Sequence, residues 1–146
     1  MPTVISGSDN FNTNDVASQT ELDAKITATG DAPIFGCRAW VNFDGKRDST
    51  GATSTANTAR FIRASGNVSS VMRNGTGDYT VNFTAPMEDA DYSAISSGES
   101  RASSGSVAAY IPCPKNYLVS SVGIGCEVST ASGYADIASI SVSVFR

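Results

Sequence analysis

The sequence predicts an all-β protein: an antiparallel β-sandwich, or a jelly-roll-like barrel, preceded by an extended N-terminal arm and one short helix. Three observations carry this. Val68–Arg73 and Tyr79–Thr84 flank Asn74-Gly75, a dipeptide that accepts positive φ, and the second run alternates Tyr, Val and Phe with Thr and Asn. Ala138 to Phe145 alternates strictly, with Ile140, Val142 and Val144 on one face and Ser139, Ser141 and Ser143 on the other. The composition is rich in Ser, Thr and Gly with dispersed Val and Ile, which suits short strands and tight turns. At 146 residues the chain is one domain with an appendage, long enough to bury a core without disulfides.

In order, residues 1–31 read as an arm and helix for attachment or oligomerisation, and residues 32–146 as the sandwich. The polar start, Met1–Asn14, has little to bury. Asn10, Asn12, Asn14 and Glu21 fall at ligand positions of a calcium loop. The pattern fails because Asn10 stands where Asp opens the loop and Asp15 where the turn needs Gly. Asp15–Thr29 predicts a helix, with Ser18 and Glu21 at capping-box spacing and Leu22 and Ile26 on one face near Val16. That narrow stripe either packs on its own β-domain or joins three copies, with Val16, Leu22 and Ile26 as the oligomerisation residues.

Gly30–Pro33 is a hinge, and Ile34–Phe43 predicts the first strand. Phe35, Cys37, Ala39, Val41 and Phe43 share one face, with Trp40 on the other. Lys46–Thr58 and Ser97–Ser106 are polar, small and aperiodic, hence surface loops. Between them Arg60–Ser65 and Tyr92–Ser96 read as strands. Val107–Ile111 follows as a strand closed by Pro112-Cys113-Pro114, and then Leu118–Val128, where Gly123 and Gly125 permit close approach of a neighbour.

The run RASGNVSSVMRNGTGDYTVNFTAPMEDADY (Arg63–Tyr92), with CRAWVNFDG upstream (Cys37–Gly45), resembles a block found in bacteriophage virion proteins, mostly distal parts of tail fibres. The similarity covers roughly Phe35 to Tyr92, interrupted by the Ser/Thr/Ala-rich insertion. It implies a virion protein that is exposed to the host surface. In the resembling proteins the connection at Lys46–Thr58 is usually much shorter, and such elaborated loops are where receptor determinants tend to arise.

The chain contains no His, which removes Ser-His-Asp triads, Cys-His pairs and HExxH zinc sites. A net charge of −4 with 16% charged residues argues against nucleic acid as the main partner. Cys37, Cys113 and Cys126 are an odd set without CxxC spacing and read as small strand side chains. Glu88, Asp89 and Asp91 read as an acidic surface turn, and no metal or cofactor is expected. No apolar run reaches membrane-spanning length and no secretory signal precedes the arm, so synthesis in a host cytoplasm is expected, and assembly into a virion is what the resemblance implies.

The resulting expectation is a non-enzymatic tail fibre or receptor-binding head. It would be homotrimeric, joined to other virion proteins through its N-terminal arm and in contact with host polysaccharide or protein. Candidate receptor-binding residues are Trp40, Lys46, Arg47, Arg101 and Tyr134. The alternatives are a capsid decoration protein, a polysaccharide depolymerase, and a free-standing carbohydrate-binding module.

Overall fold

A computed structural model describes residues 36–99, 101–103, 106–108, 110–129 and 133–146. The predicted arm and helix, with Val16, Leu22 and Ile26, lie outside the described residues, as do Ile34 and Phe35. Cys37–Arg146 forms one compact unit.

Two antiparallel four-stranded sheets pack face to face, the arrangement of a β-sandwich. Sheet 1 has the order β2 (Arg60–Gly66), β1 (Cys37–Asp48), β10 (Ile140–Phe145), β5 (Ser93–Gly98). Sheet 2 has the order β3 (Val68–Gly75), β4 (Asp78–Phe83), β9 (Ser121–Val128), β8 (Tyr110–Leu118). A small ribbon of β6 (Arg101–Ser103) and β7 (Ser106–Ala108) stands apart from both sheets. The final strand is interior to its sheet, hydrogen-bonded to β1 on one side and β5 on the other.

The core follows from the period-two pattern. Ala39, Val41 and Phe43 of β1 and Ile140, Val142 and Val144 of β10 face Val71 of β3, Tyr79, Val81 and Phe83 of β4, and Val122, Ile124 and Cys126 of β9. Edge-to-face pairs, Phe43 with Tyr79 at 5.2 Å and Phe83 with Tyr92 at 5.9 Å, fill the layer between the sheets.

Between β2 and β3 the chain crosses from one sheet to the other at Asn67, whose φ of +55° an Asn tolerates. Its amide donates to Arg38 O (3.0 Å) and Ala85 O (3.1 Å), while its Oδ1 accepts from Ala85 N (2.7 Å), so one side chain pins the corner.

Five expectations need correction. Ser97–Ser106, a surface loop by composition, carries the end of β5 and all of β6, because Ser97 and Gly98 pair with Ser141 and Ile140 and β6 pairs with β7. The hairpin turns at Thr76-Gly77 rather than Asn74-Gly75, which remain in β3. Gly77 carries the positive φ (+63°), and its N–H is held by Asp136 Oδ1 at 2.8 Å. β1 continues through Lys46 and Arg47 to Asp48, because its pairing with β2 carries on past Phe43 through Asp44–Phe61 to Asp48–Arg60. β8 runs through Pro112 and Pro114 instead of ending there. Both prolines lie on an edge strand at alternate positions, where the missing N–H leaves no partner unsatisfied. Cys37 is exposed, because a bulge between Cys37 and Ala39 breaks its alternation with the core. Cys126 is buried as expected, and Cys113 is half-buried; all three thiols are free.

Candidate functional site

The long insertion is a surface loop, as its composition predicts, but its backbone is held in place. Residues 49–59 leave β1 through an Asx-type turn. Asp48 Oδ1 accepts from Thr50 N at 2.9 Å and from Thr50 Oγ1 at 2.6 Å, and Gly51 supplies φ +87°. The Thr50 hydroxyl and these backbone amides outweigh desolvation and hold the Asp48 carboxyl below its ordinary pKa.

Arg60, only 2% exposed, then reaches back into the loop. Its guanidinium donates to Ser54 O (2.9 Å), Ala56 O (2.5 Å), Thr58 O (3.2 Å) and Thr58 Oγ1 (2.9 Å). The rigid fork of an Arg satisfies several carbonyls at once, which a Lys ammonium does not. Thr50, Ala52, Thr53, Thr55, Ala56, Asn57 and Thr58 remain exposed on the backbone so fixed.

A second buried guanidinium ties the same loop to the core. Arg73 Nη1 donates to Thr55 O (2.7 Å) and Asn57 Oδ1 (2.6 Å), Nη2 to Thr76 Oγ1 (3.1 Å), and Nε and Nη2 grip the Asp136 carboxylate. Asp136 also accepts from Tyr79 OH at 2.6 Å and Gly77 N at 2.8 Å. Burial pushes the Asp136 carboxyl up, but the hydrogen bonds from Arg73, Tyr79 and Gly77 outweigh it and hold the pKa below the ordinary range. The same contact raises the pKa of Arg73, and burial followed by the hydrogen bond to Asp136 pushes Tyr79 upward, so Tyr79 stays a donor. Cys126, buried nearby, is pushed up to about 12 by desolvation and then by Asp136, so its thiol stays protonated.

The candidate residues do not converge on one site. Trp40 is 43% exposed on the outer face of sheet 1, with its indole lying over Gly66 of the adjacent strand. Its lateral neighbours there are Ser143 and, beyond it, exposed Ile95. Tyr134, 51% exposed, covers Gly125 on the outer face of sheet 2, with the Lys115 ammonium 5.8 Å from its ring centroid. The two aromatics therefore occupy opposite faces of the sandwich. Lys46 and Arg47 lie at the end of β1 beside the pinned loop. Arg47 Nε stands 3.7 Å from Asp44, and Lys46 O accepts from Ser54 N at 2.9 Å. Arg101 lies in the β6–β7 ribbon.

Sequence reasoning missed Arg60, Arg73 and Asp136. A signal existed for the two arginines: Arg73 falls two residues after Val71, and Arg60 two before Ile62, both at inward-facing parity. Among the described residues no group of three or more Cys, Asp or Glu is placed to hold a metal ion, and Glu88, Asp89 and Asp91 instead include an ion pair from Asp89 to Arg146. No family model, curated protein or solved structure matches this chain.

Proposed function

We propose that this chain is a non-enzymatic bacteriophage virion protein, the receptor-binding head of a tail fibre that attaches the particle to the host surface. The observation that carries this reading is the loop 49–59, with its backbone fixed by Arg60 and Arg73 and Ala52, Thr53, Thr55 and Ala56 exposed on it. A loop already ordered before contact loses less conformational entropy on binding, which favours recognition over a flexible insertion. The reading also draws on the resemblance of Cys37–Gly45 and Arg63–Tyr92 to fibre proteins and on a chain without His. Three copies form the working unit in this account, joined to other virion proteins through the N-terminal arm.

The test is adsorption of the labelled full chain to susceptible bacterial cells, with Thr53→Lys and Ala56→Lys in the exposed part of the loop. Loss of cell binding with unchanged urea stability is expected. Undiminished adsorption after replacement of the whole loop sinks the assignment.

A capsid decoration role draws on a different feature. The outer face of sheet 1 sets exposed Trp40 and Ile95 among Ser93, Ser97, Ser141 and Ser143. A flat face of small residues around two apolar ones suits a neighbouring shell subunit.

A further inference from the structure

The outer face of sheet 2 carries a groove of about 190 Å³ lined by Asn74, Asp78, Thr80, Asn116, Leu118 and Gly123. Three features of the chain create it. Gly123 of β9 puts no side chain on the outer face between Thr80 of β4 and Lys115 of β8, so the Lys115 stem and Asn116 settle close over the β9 backbone, 3.1 Å and 3.4 Å from where a Cβ would stand, and form the inner wall. A bulge between Lys115 and Leu118 sets Asn116 in the left-handed region, φ +49°, at the rim. Leu118, 56% exposed, supplies the apolar wall.

The chemistry of the lining selects a ligand class. Asp78 is the carboxylate of the groove, and it is neutralised by Lys115 Nζ at 3.1 Å, so the site carries no net charge for a phosphate or a divalent cation. Asn74 Nδ2 donates to Thr80 Oγ1 at 2.9 Å and to Asp78 Oδ1 at 3.5 Å. Its Oδ1, the Thr80 hydroxyl proton and the whole Asn116 amide have no partner among the described residues. The Asn116 amide offers a donor and an acceptor side by side, and Asn74 Oδ1 and the Thr80 hydroxyl add an acceptor and a donor, the complement of adjacent hydroxyls that both donate and accept. A purely apolar ligand would strand these groups, whereas a polyhydroxylated ring satisfies them and lays its C–H face on Leu118.

We infer that this groove is a subsite for one neutral saccharide ring, held by Asn74, Thr80 and Asn116. The inference rests on the surface-attachment reading and supplies its ligand class, a neutral polysaccharide of the cell surface, at a place separate from the loop 49–59.

The experiment is a titration of the isotopically labelled full chain with glucose, galactose, N-acetylglucosamine and their short oligomers, followed by amide NMR. At least one of them is expected to shift the Asn74 and Asn116 side-chain amides and the Gly123 N–H. Asn74→Ala and Thr80→Val, both on the wet face of the sheet, are each expected to raise Kd roughly fivefold, the loss of about one hydrogen bond. No shift with any of these sugars overturns the inference, as do shifts confined to residues 49–59 or affinities unchanged in both variants. Cell adsorption is scored in parallel. Wild-type adsorption without groove shifts refutes the saccharide subsite and leaves the attachment function standing, whereas no adsorption refutes the attachment function itself.

Discussion

Replacing Arg60 with Ala removes the group that holds the loop 49–59 onto the end of sheet 1. Four hydrogen bonds disappear, three to backbone carbonyls and one to the Thr58 hydroxyl. A hydrogen bond involving a charged group contributes about 1.5–3 kcal/mol, so their simple sum is an upper bound of roughly 6–12 kcal/mol. Two effects reduce it. The freed carbonyls lie at the surface and rehydrate once the loop opens, and the opened loop regains conformational entropy. The expected net loss is about 3 kcal/mol, at the upper end of ordinary single substitutions. For a domain of this size that lowers Tm by roughly 10 °C.

Urea unfolding measures the loss, and hydrogen exchange locates it. The Asp48, Ser49 and Ser54 amides, which donate to Ala52, Ala59 and Lys46 carbonyls, should lose protection while Val41, Val81 and Val142 keep theirs. Arg60→Lys retains the charge but not the fork and should recover less than half of the stability. A loss below about 1 kcal/mol in Arg60→Ala, with protection of those three amides unchanged, would show that the loop is ordered without the guanidinium and would refute the reasoning.

The other expectations concern the network beneath the loop. Asp136 is depressed in the folded state, so its contribution is fully present above the unfolded carboxylate value of about 3.9 and is lost as pH falls through the lower folded value. Wild-type stability should therefore fall below about pH 4, with a shallower acid limb in Asp136→Asn; identical acid limbs in the two proteins would exclude Asp136 as a source. Gly77→Ala places a Cβ at φ +63° and 2.7 Å from Ala135 N, and should cost about 2–3 kcal/mol in urea unfolding, whereas Gly75→Ala, with open space around it, should cost less than about 1 kcal/mol. Thiol labelling at neutral pH should modify Cys37 rapidly and leave Cys126 unmodified until the protein unfolds, with site occupancy read by peptide mass spectrometry.

Much of the sandwich was legible because period-two alternation reports directly on a half-buried strand. Ile140, Val142 and Val144, and Tyr79, Val81 and Phe83, face the core as their spacing requires. What alternation does not encode is where a ladder stops. Asn74-Gly75 has ideal turn chemistry, yet Asp136, distant in sequence, anchors the Gly77 N–H and moves the turn by two residues. Pro112 and Pro114 read as a stop because a proline breaks a central strand, and only the order of the sheet reveals that β8 is an edge. The loop 49–59 is mobile by composition and pinned in fact, because its order comes from Arg60 and Arg73 outside it. Trp40 was legible as lying opposite the core face of β1 and Tyr134 as part of a turn, both as candidates for binding. Their separation onto opposite faces depended on sheet assignment, which local pattern does not carry.

The measurement that bears most directly on the attachment account is immunogold labelling of purified virions with antibody raised against the full chain, combined with quantitative mass spectrometry of copy number. The account predicts label at the distal end of the tail and a few copies per particle, in multiples of three. Label spread over the capsid at hundreds of copies, or no label on the particle, would contradict it.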